Sequence, residues 1–228
     1  PLLISSMLAT LVGITTLWTM NSFGVGYAIL ACAGMLLGAG VTACCTATVA
    51  KWLLTPVIRA GQQRPLWSPF VWRNELCDTF IQSLAVPWLA RLCYGTPMLN
   101  LWMRSLGAKL GRGVWLESHL LPEAELVQLD AGVTINRGCV CQTHLFHDRL
   151  MRLDKVHLQA GATLGPYAIT LPGTVIGAGT TIAPTSLVMR GEHIPAGSRW
   201  KGNPVRPWAT EKAQSALESS DSEATRSF

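Results

Sequence analysis

From residue 158 onward an inward-type position recurs every six residues: Leu158, Leu164, Thr170, Ile176, Ile182, Val188, Ile194 and Trp200. Small residues stand two places before five of these rungs, at Ala162, Ala168, Thr174, Thr180 and Ser186. The same step appears earlier, at Leu110 and Leu116, and again at Leu129, Ile135 and Cys141. Neither the 3.6-residue period of a helix nor the 2-residue period of an ordinary strand accounts for it. Three hexapeptides make one triangular coil, and stacked coils bury a column of aliphatic side chains. The spacing therefore predicts an all-β left-handed parallel β-helix of roughly four to five coils over residues 107–208.

The rhythm fails once in the middle. The step from Cys141 to Leu158 falls one short of a multiple of six, and the excursion holds His144, His147, Asp148, Arg149 and Arg152. Loops thrown out of a rigid scaffold are common places for catalytic groups, and histidine exchanges protons near neutral pH. His144, close behind the rung Cys141, is expected to have the better-defined position, with His147 and Asp148 further into the loop. Solvated loop histidines would look the same in sequence.

A different pattern governs the N-terminal part. Residues 1–50 contain no Asp, Glu, Lys, Arg or His, and "NSFGVG" divides them into two apolar runs, Leu2 to Met20 and Tyr27 to Ala50. Each is near the roughly 20 residues that cross a bilayer's hydrocarbon core, which predicts two transmembrane α-helices. No basic n-region marks a signal peptide. Because the chain begins with Pro1, it is expected to be a piece of something longer.

Between these regions, residues 51–106 are rich in Trp, Pro and Leu. Arg91 and Arg104 interrupt any third span, and Pro87 and Pro97 cut helices short, so amphipathic interfacial helices are expected, with Trp67, Trp72, Trp88 and Trp102 as anchors. A helical subdomain packed on the coil is the alternative. Residues 209–228, rich in Ser and Glu, read as a flexible tail.

Charge adds an orientation. Lys51, Arg59, Arg64 and Arg73 follow the apolar block with no acid before Glu75, the bias expected on the cytoplasmic side of a span. Multi-pass placement in the cytoplasmic (inner) membrane follows, with the β-helix facing the cytoplasm. Of the net charge of +5, most falls in residues 51–106, which suits a lipid bilayer as partner and no nucleic acid. The seven cysteines are odd in number and form no CxxC pair, so neither a disulfide framework nor a zinc site is expected. Cys139 and Cys141 read as small buried residues, and His119, His157 and His193 as off-rung and solvated. Neither His119 nor His157 stands at a spacing that would offer His144 and His147 a third ligand, so no metal is expected.

The hexads, the histidine-bearing interruption and the closing Gly202-Asn203-Pro204 resemble the hexapeptide-repeat acyltransferases. More narrowly, "PLWSPFVWRNEL", "LGAKLGRGVWLES", "VTINRGCVCQTHLFHDR" and "SLVMRGEHIPAGSRWKGNP" resemble the C-terminal region of membrane-bound nonribosomal-peptide-synthetase-like enzymes, the type that includes ε-poly-L-lysine synthetase. The resemblance implies a terminal acyl- or aminoacyl-transferase-like domain. Its partners would be adenylation and carrier domains of the same longer chain, together with sister tandem β-helix domains or a second copy. Its donor would be a phosphopantetheine thioester on the carrier, with coenzyme A as the alternative.

The same resemblance makes His144 the general base, with Asp148 or a backbone carbonyl holding its tautomer. His147 occupies a position that is often acidic in that family. Asn203 and Pro204 match the turn beside the pantetheine cleft, although Gly-Asn-Pro is also an ordinary turn sequence. A non-catalytic scaffold domain, or a stand-alone coenzyme A-dependent acyltransferase, would carry the same motifs.

Overall fold

Each step of one hexad moves the chain to a new face. In the computed structural model, which describes residues 1–55 and 57–208, Leu158 lies on one parallel sheet, Leu164 on a second and Thr170 on a third, and Ile176 returns to the first. The five-stranded first face contains Lys109–Leu110, Val127–Leu129, Val156–Leu158, Val175–Ile176 and His193–Ile194. The second runs from Trp115–Leu116 through Thr134–Ile135, Thr163–Leu164 and Thr181–Ile182 to Arg199–Lys201, with the antiparallel Arg206–Pro207 at its end. The third stacks Val140–Cys141, Ile169–Thr170 and Leu187–Val188.

All the late rungs but Trp200 are buried, as are the five small residues preceding them. Fully burying one such aliphatic side chain contributes about 1.5–3 kcal/mol, so the column is the main source of stability. Thr170 is the one polar late rung; it is buried beside Cys141 and Val188 on the narrowest face. At Gly165, just after a rung, a Cβ would stand 2.5 Å from the backbone nitrogen of Pro184 on the next coil. Only glycine permits that approach.

The apolar N-terminal block forms α1 (Leu2–Phe23) and α2 (Val25–Leu54), joined at Gly24. Both are long and apolar enough to cross a membrane. None of α1 is buried against protein, and Leu3, Met7, Leu11 and Ile14 are among its exposed side chains. α2 instead buries a stripe of small residues, Ala39, Gly40, Ala43 and Ala47; a Cβ on Gly40 would meet that of Leu89 at 2.8 Å. Close approach of a neighbouring segment needs small residues of this kind.

α2 runs past Ala50 to Leu54, further than the charge-free block. Lys51, counted above with the membrane-proximal cations, is buried in an ion pair with Glu125 at the corner of the coil. Its charge is matched within the protein and ties α2 to the β-structure.

Residues 69–105 pack over the coil. They comprise α3 (Pro69–Phe80), capped by Ser68, a π-helical turn (Ile81–Ala85), α4 (Val86–Trp88), a 3-10 turn (Ala90–Cys93) and α5 (Pro97–Ser105). Leu99, Met103 and Leu106 join the core cluster of the β-structure. Of the four tryptophans expected at an interface, Trp67 and Trp72 are exposed, whereas the indoles of Trp88 and Trp102 bond to Ser5 and to the Cys44 carbonyl. The stretch 209–228, expected to be a flexible tail, lies outside the described residues.

Candidate active site

Two breaks in the rhythm fall at the same corner of successive coils. Leu164 pairs with Ile182, three hexads further along the chain, but Leu129 pairs with Leu158, nearly five hexads further; the surplus is the excursion after Cys141. In the first coil Leu110 pairs with Leu129 and Leu116 with Ile135, and each partner lies one place beyond three hexads, so a single extra residue is accommodated there. That residue is absorbed in the turn through Pro122 and Glu123, between Leu120, whose carbonyl accepts from Cys141 N–H, and the first-face strand Val127–Leu129. Glu123 is consequently set beside His144, one coil away.

The excursion is a hairpin rather than a loose loop. Strands His144–His147 and Leu150–Leu153 pair antiparallel, and Gln63–Pro65 adds a third strand. The turn residues Asp148 and Arg149 both have positive φ, 53° and 58°, as a two-residue type I′ turn requires. Met151 and Leu153 on the inner side pack with Ile58, Val71 and Leu126 in a second small core, which fastens the hairpin to α3.

His144 opens this hairpin, with its side chain 14% exposed. Its Nδ1 lies 2.9 Å and 3.0 Å from the two carboxylate oxygens of Glu123, whose side chain is wholly buried. Glu123 also accepts from Thr143 Oγ1 at 2.5 Å and from Asn74 Nδ2 at 2.7 Å. A carboxylate only accepts, so the bond fixes a proton on His144 Nδ1 and leaves Nε2 as the basic atom. Nε2 lies 3.2 Å from the amide nitrogen of Gln142, which donates to it. Burial alone would lower the pKa of His144; the hydrogen bond and charge of Glu123, helped by Glu75 and Asp78, outweigh burial and hold it above the ordinary histidine value.

A cavity of about 300 Å³ opens beside this imidazole. The coil side contributes His119, Leu120, Val140 and Gln142, the hairpin His144 and Phe146, and the helical cover Glu75, Asp78, Ile81 and Gln82. The π-helical turn re-aims the backbone where Ile81 and Gln82 enter it. Asp78 is raised to about 6, by burial first and then by Glu123 and Glu75, with His144 opposing.

His119 is no solvated outlier; it lines the same cavity. Its Nε2 lies 3.0 Å from Gln82 Oε1, its Nδ1 meets the Tyr94 hydroxyl, and its ring stacks on Tyr94. With Oε1 assigned as the acceptor, Nε2 carries the proton. Burial, then Arg91, lowers its pKa. One cavity therefore holds two histidines tuned in opposite directions.

The other sequence-derived candidates lie apart from it. Asp148 does not touch His144: it pairs with His147 at 2.7 Å and with Arg152 at 3.6 Å on the exposed hairpin tip. The carboxylate that holds His144 is that of Glu123, not Asp148. His147 points to solvent with Asp148. Asn203 and Pro204 form an exposed turn beside strand Leu187–Val188 and are not among the residues lining the cavity. That strand is two places along the third face from Val140–Cys141, or about 10 Å. His157 pairs with Asp130 at 2.9 Å, and His193 is exposed. Cys139 and Cys141 are buried, which pushes their thiols up to about 11 and about 12. Among the described residues no three His, Cys, Asp or Glu side chains converge to hold a metal.

Glu123 escaped the sequence reading, although a signal was present. The step from Leu116 to Leu129 exceeds two hexads by one place, a break as real as the longer one.

Two solved structures are similar to about half of the chain. A hexapeptide-repeat containing acetyltransferase from Vibrio cholerae is 15% identical, covering 53% of this chain and 86% of its own, with a TM-score of 0.40. A mutant of AntD, an N-acyltransferase from Bacillus cereus, in complex with dTDP and coenzyme A, is 18% identical, covering 50% and 74%, with a TM-score of 0.35. In sequence the chain is homologous to delta-poly-L-ornithine synthetase of Acinetobacter baumannii (strain AB307-0294), at 31% identity over 195 residues, and it belongs to the family of that synthetase. The match takes in 83% of this chain but 14% of the synthetase, so the chain spans about a seventh of its relative. No family model matches the chain.

Proposed function

We propose that this chain is the terminal acyl- or aminoacyl-transferase-like domain of a membrane-bound nonribosomal-peptide-synthetase-like enzyme, joining an amine to an activated acyl group. The observation that carries this reading is the buried Glu123–His144 pair, with His144 lining a cavity of about 300 Å³. The scaffold is a left-handed parallel β-helix, and α1 and α2 cross the inner membrane with residues 57–208 on the cytoplasmic side. The homology to a poly-ornithine synthetase supports an amine of the diamino-acid type as acceptor. The donor is a phosphopantetheine thioester, delivered by a carrier domain of the same longer chain after an adenylation domain has loaded it.

The chemistry asked of the site is simple. An alkylammonium has a pKa near 10.4 and cannot attack until it loses a proton. The amine enters the step neutral, its ammonium proton already lost to solvent; as its nitrogen displaces the Gln142 amide from His144 Nε2 and bonds to the thioester carbonyl carbon, Nε2 takes the nitrogen's second proton and the carbonyl oxygen becomes an oxyanion. Collapse expels the pantetheine thiolate, which takes the proton back from His144 and leaves as a thiol. Glu123 keeps Nδ1 protonated and stabilises the transient imidazolium, the role an orienting carboxylate plays in histidine dyads. Asp148 is the tip of the hairpin that carries His144 and has no part in the proton transfer.

The test is His144→Ala in the full-length enzyme, with adenylation and thioester loading measured alongside. Loading should be intact and amide formation should fall roughly 10²–10⁴-fold, the usual contribution of a general base. Unchanged amide formation would make this domain a scaffold instead.

A further inference from the structure

The geometry points to an alkylammonium-binding vestibule beside the His144 cavity, formed by Trp67, Trp72, Phe146 and Glu75. A second cavity, of about 280 Å³, is lined by Leu66, Trp67, Val71, Trp72, Glu75 and Phe146. Glu75 and Phe146 also line the His144 cavity, so the two spaces meet at those side chains. Phe146 in turn packs its edge on His144, with ring centroids 5.2 Å apart.

Trp67 and Trp72 flank the Ser68 cap at the positions where apolar side chains staple a helix start, and they leave their outer faces open. Trp67 and Trp72 are 76% and 64% exposed, yet their rings lie 6.5 Å apart, tilted by 37°, on either side of the N-terminal cap of α3. Indole faces attract cations, most strongly when a cation sits within about 6 Å of the ring centroid. The single charge in the lining is the carboxylate of Glu75, and no lysine or arginine is among the six. An aromatic wall with one acid suits an ammonium on an apolar stem and repels a phosphate or a carboxylate.

The direction of the site is written in α3. Trp72, Glu75 and Asp78 are spaced by three, which aligns them along one helix ridge. The ridge leads from the aromatic vestibule into the cavity where His144 waits. A cationic oligopeptide could rest one ammonium-tipped side chain between the indoles while a second amine reaches Nε2. This inference rests on the reading of the acceptor as an amine given above. It makes the vestibule a specificity site for cationic acceptors, distinct from the proton transfer itself.

Calorimetric titration of the full-length enzyme in detergent with tri-ornithine, and with its side-chain-acetylated counterpart, tests it. Tri-ornithine should bind and the acetylated peptide should not. Trp72→Ala and Glu75→Gln should each weaken binding by roughly three- to thirtyfold, and Trp72→Phe, which keeps an aromatic face, by less. His144→Ala should still bind tri-ornithine, so a failure of the transferase reading would leave this binding result standing. Equal binding of both peptides would overturn the vestibule. So would a Trp67→Ala, Trp72→Ala pair that binds tri-ornithine normally but loses adsorption to vesicles containing phosphatidylglycerol, since the indoles would then be membrane anchors.

Discussion

At the scale of single residues, the site depends on a proton held in one place. Glu123 accepts from Thr143, Asn74 and His144, and the last of these bonds decides which imidazole nitrogen is free. The pair also links stability to pH. The folded pKa of His144 is raised, so its contribution is fully present below the ordinary histidine value of about 6.5 and is lost as pH rises through the raised value. The gap in melting temperature between wild type and His144→Gln should therefore narrow on going from pH 6 to alkaline pH; a gap that widened would contradict the assignment. His144 was legible in the sequence because it closely follows a rung and opens the longer break. Glu123 showed only as a one-place break in the hexad, because the environment that makes it the partner of His144 comes from Asn74, far earlier in the chain, and from Thr143, one coil later. No local pattern records such contacts.

At the scale of elements, the hairpin is what turns a histidine into a positioned group. Its alternation, with Met151 and Leu153 buried and Leu150 and Arg152 only partly so, is short enough to pass for loop sequence. The turn is where it is weakest. Arg149 holds φ at 58°, a conformation that glycine adopts without strain, so Arg149→Gly should raise stability by about 1 kcal/mol in a denaturation curve and leave transfer intact. Met151→Ala, by contrast, opens the core beneath the hairpin and should cost about 2–5 kcal/mol, with transfer falling in step. If Met151→Ala were silent in both, the hairpin would not be the support described. The helical cover was partly legible: proline and arginine positions excluded a further span, but the closure of the cavity by Glu75, Asp78 and Gln82 is a matter of how α3 and the π-helical turn pack on the coil.

At the scale of the whole molecule, the hexad rhythm was readable because the late strands repeat one geometry, an inward rung and a turn to the next face, with a small corner residue before five of the eight rungs. Rigid stacking has a corresponding vulnerability. Gly165→Ala would drive a methyl group into the backbone at Pro184 and should destabilise the coil by roughly 1–3 kcal/mol, measured by thermal unfolding. The same rigidity sets Glu123 and His144 at one corner of adjacent coils, while Lys51 and Glu125 tie that corner to the end of α2. The proposed membrane helices and the proposed proton-transfer site are thus neighbours through a buried ion pair.

The proposed function turns on His144 acting as a base tuned by Glu123. Its most direct test is the pH dependence of single-turnover amide formation from a preloaded thioester, in wild type and in Glu123→Gln. Wild type should lose activity as pH falls through a value above the ordinary histidine pKa of about 6.5, because a protonated His144 cannot accept a proton. Glu123→Gln should be slower and should shift that limb to lower pH, since the charge that raised the pKa is gone. Identical profiles for the two enzymes would contradict the account.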